Sequence, residues 1–203
     1  MPRPLLRVGD GSFFTPPVEI NDLFLTGEEI RRLVVEGGLV EGYVDLGAQV
    51  QPNGFDLTVG KIELVEPTGG GAIGFADRAF PGRRPIDWSQ DGSIDLRPGD
   101  FYVGWTNETV SMPLDTIGIL KPRTSAFTMG LVVLTGIVDA GFRGHIRFGL
   151  MACRPVKVGK NARLVHMTLA RLSTETKGYG GIWREPSRRL AGEGVQETAG
   201  HAG

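Results

Sequence analysis

Short apolar runs separated by glycine, proline and polar turns recur along most of the chain. FDLTVGKIELVE (55–66) alternates locally and reads as a strand pair broken at Gly60. SIDLRPGDFYVGWTNETVSMP (93–113) reads as two strands joined by the turn RPGD. IGILKPRTSAFTMG (117–130) gives a strand and then a loop, followed by the units GLVVLTGIVDAGF (130–142) and HIRFGLMAC (145–153). RPVKVGKNARLVHMTLARL (154–172) is turn and strand again. Helical spacing occurs once, in LTGEEIRRLVVEGGLV (25–40). There Thr26 is an N-cap, Glu28 and Glu29 favour the first turn, Gly37-Gly38 stops the helix, and Ile30, Leu33 and Val34 share one face.

Three segments lack a core pattern. Residues 1–20, with four prolines, read as an irregular arm. Residues 67–93 form a polar, turn-rich excursion. Beyond Ser173 the chain becomes glycine-rich and charged, a tail expected to be disordered or ordered only by a ligand or neighbour. The organisation predicted is an arm (1–20), a β domain (21–173) and a flexible C-terminal tail (174–203). With 31 glycines and 13 prolines between short strands, the 203-residue chain points to an all-β sandwich or jelly roll.

Composition narrows the function classes. A formal charge of −1 gives no nucleic-acid footprint and no polybasic membrane patch. The single cysteine, Cys153, has no internal disulfide partner, and with three scattered histidines it makes no zinc cluster. With no signal-peptide pattern and no long apolar span, the expectation is a cytoplasmic protein.

Several loops place polar groups beside glycine or proline. KPRTS (121–125) offers a forked guanidinium and two hydroxyls, suited to phosphate or equally to ordinary turn chemistry. TGIVDAGFRG (135–144) places Asp139 among apolar residues and glycines. Its carboxylate either caps its own turn or orients and deprotonates a water. NGFDLTVG (53–60) holds Asp56 beside a strand, and KGYGGIW (177–183) reads as a lid or as a solvated linker. A nucleotide hydrolase, a nucleotide or sugar-phosphate binder and a structural jelly roll all remain compatible with these features.

The order of these loops resembles the dUTPase and dCTP deaminase superfamily over about residues 27–183. PRTS (122–125) resembles the second motif of that family and GIVDAGFRG (136–144) the third. NGFDLTVG resembles the first motif in its deaminase-branch form; KVGKNARLVHMTL (157–169) and KGYGGIW are looser likenesses of the fourth and fifth. The resemblance implies a distorted jelly-roll or β-barrel with a short N-terminal helix, assembled as a homotrimer with shared active sites. It implies hydrolysis of dUTP to dUMP and pyrophosphate, with Asp139 activating the water. Backbone groups around Thr135 and Ile137 would meet the base, and Phe142 would lie beneath the deoxyribose. Arg123, Thr124 and Ser125 would bind phosphate from a neighbouring subunit, assisted by Arg163, while Lys177 and Tyr179 close the tail. Mg2+ is expected on the triphosphate, with Asp56 holding one of its waters. The deaminases carry a glutamate where this chain has Gly149 and an arginine where it has Thr128, so the resemblance favours the diphosphatase branch. A bifunctional deaminase–diphosphatase and a non-catalytic nucleotide-binding trimer are the rivals.

Overall fold

A computed structural model of the chain describes residues 23–75 and 77–181, together with the backbone of 6–7 and 13–14. In chain order the elements are β1 (Leu6–Arg7), β2 (Phe13–Phe14), α1 (Gly27–Gly37), β3 (Val40–Glu41), α2 (Leu46–Gln49), β4 (Val50–Gln51) and β5 (Gly54–Val65). Then come β6 (Ala72–Ile73), β7 (Arg78–Ala79), β8 (Arg83–Ile86), β9 (Ser93–Leu96), β10 (Phe101–Ser111) and β11 (Thr116–Pro122). The chain continues through α3 (Thr124–Thr128), β12 (Leu131–Leu134), β13 (Ile137–Val138), β14 (Arg143–Ala152), β15 (Val156–Gly159) and β16 (Arg163–Arg171).

One 10-stranded antiparallel sheet dominates, running β12-β14-β10-β5-β16-β11-β13, with β3, β4 and β8 attached at its sides. The two ends of that path, β12 and β13, are joined only by Thr135 and Gly136. A flat sheet cannot bring its opposite edges so close, so this one curls into a half-barrel. The predominantly β fold with a short N-terminal helix read from the sequence is the fold observed.

Residues alternate between core and exterior as a half-covered sheet requires. On β14, Gly144, Ile146, Phe148, Leu150 and Ala152 point inward and the intervening residues outward. β5 is the pivot. It pairs with β16 through Phe55–Thr58 and with β10 through Val59–Leu64, and every residue from 54 to 59 is buried. Fully buried Phe55, Leu57, Leu150, Met167 and Leu169 belong to the core it organises. α1 closes one end with a reciprocal capping box between Thr26 and Glu29, buries Ile30 and Val34, and stops where Gly38 takes a left-handed conformation at φ 64°.

Three expectations change. Residues 55–66 are not a strand pair broken at Gly60. β5 runs straight through, and the pairing with β10 shifts register at Gly60, where an added Cβ would stand 2.5 Å from the Asn107 side chain. The loop after β11 contains a helical turn, α3, too short to generate a period in the sequence. The N-terminal arm contains the strand pair β1–β2; its other residues, and those from Ile182 onward, lie outside the described residues.

Candidate active site

A cavity of about 560 Å³ opens on the outer face of the sheet, where β12, β14, β10 and the loop after β12 meet. Of the residues singled out from the sequence, Thr135, Ile137, Asp139, Phe142 and Tyr179 line it together. Apolar positions supply most of the wall, including Phe101, Val103, Leu134 and Ile137. Such a lining suits a flat ligand held by a few polar groups.

The turn carrying Asp139 is closed by backbone. Phe142 N–H donates to the Asp139 carbonyl at 3.1 Å, Gly141 N–H reaches the Met112 carbonyl at 3.2 Å, and Met112 N–H donates to the Phe142 carbonyl at 2.8 Å. The Asp139 side chain is exposed, and among the described residues its carboxylate makes no hydrogen bond or ion pair. The turn-capping role offered by the sequence is therefore not the one observed: main-chain groups close the turn and the carboxylate stays uncommitted. Phe142 serves two surfaces, being 9 % exposed and part of the core while its ring borders the cavity.

The base of the neighbouring hairpin is fixed from both sides. Leu120 N–H donates to the Gly136 carbonyl at 3.2 Å, and the Thr135 hydroxyl donates to the Leu120 carbonyl at 2.9 Å. The first part of the tail returns to the same place. Tyr179 N–H donates to the Ala140 carbonyl at 2.8 Å, and the Tyr179 ring meets that of Phe142 at 5.8 Å between centroids, tilted by 60°. Gly141 and Gly178, at φ 75° and 79°, let the two backbones touch. Lys177 is exposed and is not among the cavity-lining residues.

The remaining candidates gather elsewhere. Asp56, 1 % exposed, accepts from Arg123 Nε at 3.0 Å and Arg163 Nη1 at 3.4 Å on one oxygen, and pairs with His166 Nδ1 at 2.9 Å on the other. Arg163 also donates to the Ala48 carbonyl at 2.5 Å. Thr124 and Ser125 are exposed on α3 immediately beyond. Asp139 lies opposite Ile117 in the continuing register of β11 and β13, and Arg123 follows six residues later. At strand rise that is about 20 Å along the sheet. Within one chain, the Arg123 cluster and the Asp139 turn are separate.

Sequence reasoning missed three features. The excursion 67–93 is a wall of the cavity, to which it contributes Phe80, Pro81 and Arg83. β8 pairs with β5, placing Arg83 opposite Val65, and Trp88 donates to the Gly60 carbonyl at 3.3 Å. Below that wall, Glu63 accepts from Trp105 Nε1 at 3.0 Å and from Lys61 at 2.6 Å, with Arg83 at 3.8 Å. Burial pushes the Glu63 carboxyl up, but the bonds from Lys61 and Trp105 outweigh it and hold the group below its ordinary range. Glu108 is fully buried and accepts from the Thr58 N–H and hydroxyl and from Gln49 Nε2. Burial pushes its carboxyl up despite those bonds. These partners lie up to 59 residues apart, so no local pattern announces them.

At Gly149 the surroundings are already filled. A Cβ there would meet Phe101 Cζ at 3.0 Å and Leu134 Cβ at 3.2 Å. Among the described residues no three His, Cys, Asp or Glu side chains come together to hold a metal ion. The donor set therefore does not fit a metal ion bound by protein ligands alone, and the Asp56 carboxylate is already engaged by three cationic or protonatable partners. Among the described residues, no helix is long and apolar enough to cross a membrane.

A family model described as dCTP deaminase-like matches residues 24–172. A probable deoxyuridine 5'-triphosphate nucleotidohydrolase of Methanosarcina mazei is 36 % identical over 166 residues, covering 79 % of this chain and 95 % of that protein. A protein of Pseudarthrobacter chlorophenolicus named dCTP deaminase, dUMP-forming, is 30 % identical over 135 residues, covering 64 % of this chain and 71 % of the relative. The crystal structure of 2'-deoxycytidine 5'-triphosphate deaminase from Agrobacterium tumefaciens superimposes with a TM-score of 0.58 at 22 % identity, over 73 % of this chain and 46 % of that one. That likeness bears on the fold.

Proposed function

The chain belongs to the dCTP deaminase-like family, and from that premise we propose that it hydrolyses a pyrimidine deoxynucleoside triphosphate in the cavity beside Asp139. The observation that carries this reading is the uncommitted Asp139 carboxylate at the cavity wall, on a turn held by main-chain hydrogen bonds. A general base needs a fixed backbone and an unengaged side chain. Asp139 accepts a proton from water as the water oxygen bonds to the α-phosphorus and the bond to the bridging oxygen of the β-phosphate breaks. With dUTP the products are dUMP and pyrophosphate. Phe142 supports the sugar, backbone groups around Thr135 and Ile137 meet the base, and Tyr179 and Lys177 bring the tail across. A Mg2+ ion carried by the triphosphate would supply neutralisation of phosphate charge, with no ligand from this chain assigned to it.

Arg123, Thr124 and Ser125 take phosphate oxygens of a substrate held by a neighbouring copy. The separation of about 20 Å along the sheet from Asp139 supports this arrangement, since one chain cannot bring the two groups to a single triphosphate. A homotrimer with shared sites satisfies it. Asp56 acts here as the anchor of Arg123 and Arg163.

Two substrate readings follow. Hydrolysis of dUTP alone is supported by the filled space at Gly149, which leaves no carboxylate at that position for amine loss. Deamination of dCTP coupled to dUTP hydrolysis is supported by the dCTP deaminase-like family match and by the Pseudarthrobacter relative's name. Purified protein with Mg2+ is given dUTP and dCTP separately, with Asp139→Asn alongside, and nucleotides and pyrophosphate are resolved. Formation of dUMP from dUTP, lost in the variant, is the expected result. Uracil nucleotide from dCTP selects the bifunctional reading, and dUTP binding without turnover in the wild type overturns the hydrolase.

A further inference from the structure

The cavity follows the slit of a splayed hairpin. Leu134 on β12 pairs with Gly149 on β14, but the chain beyond Leu134 leaves β14 and joins β11 through Ile137 and Val138. The two arms meet again at the turn from Asp139 to Phe142. Counting equal steps from the Leu134–Gly149 pair sets Gly136 level with Arg147, and Val138 level with His145. Arg147 therefore belongs with the backbone around Thr135 and Ile137, its guanidinium 5.0 Å from the centroid of the Trp105 ring. His145 belongs with Asp139, the residue after Val138, and both line the cavity.

The strand beside His145 is shaped around its ring. Trp105 pairs with Arg147 and Thr109 with His145, so Thr106, Asn107 and Glu108 of β10 stand opposite Ile146 alone. This bulge brings two carbonyls, those of Thr106 and Glu108, each to 3.1 Å from His145 Nδ1. The bulge is itself pinned. Thr106 Oγ1 donates to the Glu108 carbonyl at 2.7 Å and accepts from Ile146 N–H at 3.0 Å, while Thr58 and Gln49 bind the buried Glu108 carboxyl. Carbonyls only accept, so Nδ1 carries the proton. In the neutral ring Nε2 is then an acceptor, and among the described residues it has no hydrogen-bond partner.

A water that attacks phosphorus through a lone pair has two O–H bonds to place. Asp139 accepts one of them. A second acceptor at the same end of the slit aims the remaining lone pair. We propose that His145 is that acceptor, a catalytic residue whose Nε2 takes a hydrogen bond from the attacking water. This rests on the hydrolase reading above. As the water oxygen bonds to the α-phosphorus and the bond to the bridging oxygen of the β-phosphate breaks, one proton passes to Asp139. The other stays on the oxygen, bonded to Nε2, until the dUMP phosphate ionises. The role requires the neutral ring, since an imidazolium has no lone pair to offer. The charged and titratable groups facing that ring are Asp139 and Tyr179 in the cavity, Arg143 and Arg147 on its own face of β14, and Glu41, beyond Thr109 in the same cross-strand row.

The test is steady-state dUTP hydrolysis with Mg2+ across pH, on the wild type, His145→Asn and His145→Gln, with thermal midpoints verifying folding. Asparagine keeps an N–H at the place of Nδ1 for the bulge carbonyls and removes the acceptor. Glutamine reaches the place of Nε2 with an amide oxygen that does not protonate. His145→Asn should lower kcat about 10- to 100-fold with KM changed less than about threefold. His145→Gln should recover part of kcat, and its acid limb should move to lower pH, where Asp139 alone sets it. Wild-type kcat in His145→Asn, or the same acid limb in the wild type and His145→Gln, overturns the proposal and leaves the hydrolase standing. A wild type that turns over no dUTP removes the hydrolase reading and this role with it.

Discussion

Replacing Gly141 by alanine tests how the tail is attached beside Asp139. Gly141 has φ 75°, where an L residue pays about 1–2 kcal/mol. Its added Cβ would lie 2.7 Å from Gly178 Cα and 3.1 Å from Tyr179 N, both backbone atoms that no rotamer change can move. Relief comes only by separating the tail from the turn. Docking rests on the hydrogen bonds from Tyr179 N–H to the Ala140 carbonyl and Thr176 N–H to the Leu114 carbonyl, and on the Phe142–Tyr179 ring contact. At roughly 0.5–1.5 kcal/mol each, these sum to about 2–4 kcal/mol. The variant should lose that docking while the domain falls by only the strain, a drop in thermal midpoint of roughly 2–8 °C. Hydrogen exchange at Thr176 and Tyr179 should accelerate about 30-fold or more, with core amides of β14 and β16 still protected. Gly178→Ala is the control. Its Cβ would meet the mobile end of Leu114 at 2.8 Å and its strain falls on the tail, so the domain midpoint should hardly move. Unchanged exchange at Thr176 and Tyr179 in Gly141→Ala would refute the reasoning.

Asp56→Asn should cost about 2–4 kcal/mol in urea unfolding, less than a fully buried triad because both arginines are about one-third exposed; a loss below about 1 kcal/mol would make Asp56 a bystander. The pH dependence follows from Glu108. Its native carboxyl titrates above the ordinary value of 4.5, so its contribution is full below that value and declines as pH rises through the raised one. Glu108→Gln cannot titrate and sets an amide against the Thr58 N–H, so it should be less stable throughout, by about 1–3 kcal/mol at low pH. That deficit should shrink between pH 4.5 and neutrality; urea midpoints across that range decide, and a deficit that widens with pH contradicts the assignment.

What the sequence made legible was local. The helix α1 could be read because Thr26, Glu29 and Gly38 each do their work within a few residues. The strands could be read because apolar positions alternate. The Asp139 turn stood out because an acid among apolar residues and glycines has few ordinary duties. The rest depends on pairing over long separations. Asp56 meets Arg163 and His166 more than a hundred residues later, and Glu108 meets Thr58 fifty residues earlier. The excursion 67–93 is mostly exposed and polar, so its pattern resembles a solvated loop although β8 sets Arg83 into the cavity wall. Gly60 misled for a related reason. A glycine within an alternating run signals either a break or a bulge, and only the position of Asn107 decides which.

The order of strands in the sheet also governs how the chain is made. β16 lies between β5 and β11, yet among the described residues it is the last strand to leave the ribosome. Until Arg171 has emerged, both neighbours present unpaired edges, and nothing translated earlier can fill the slot between them. Folding must therefore wait for nearly the whole domain, with long-range pairings completed late. During that interval the exposed edges invite pairing with other nascent chains. A chain truncated before residue 163 lacks the strand that joins the two halves of its sheet. The cell inherits an all-or-nothing product, in which the final strand decides whether the preceding ones become a protein or an aggregate.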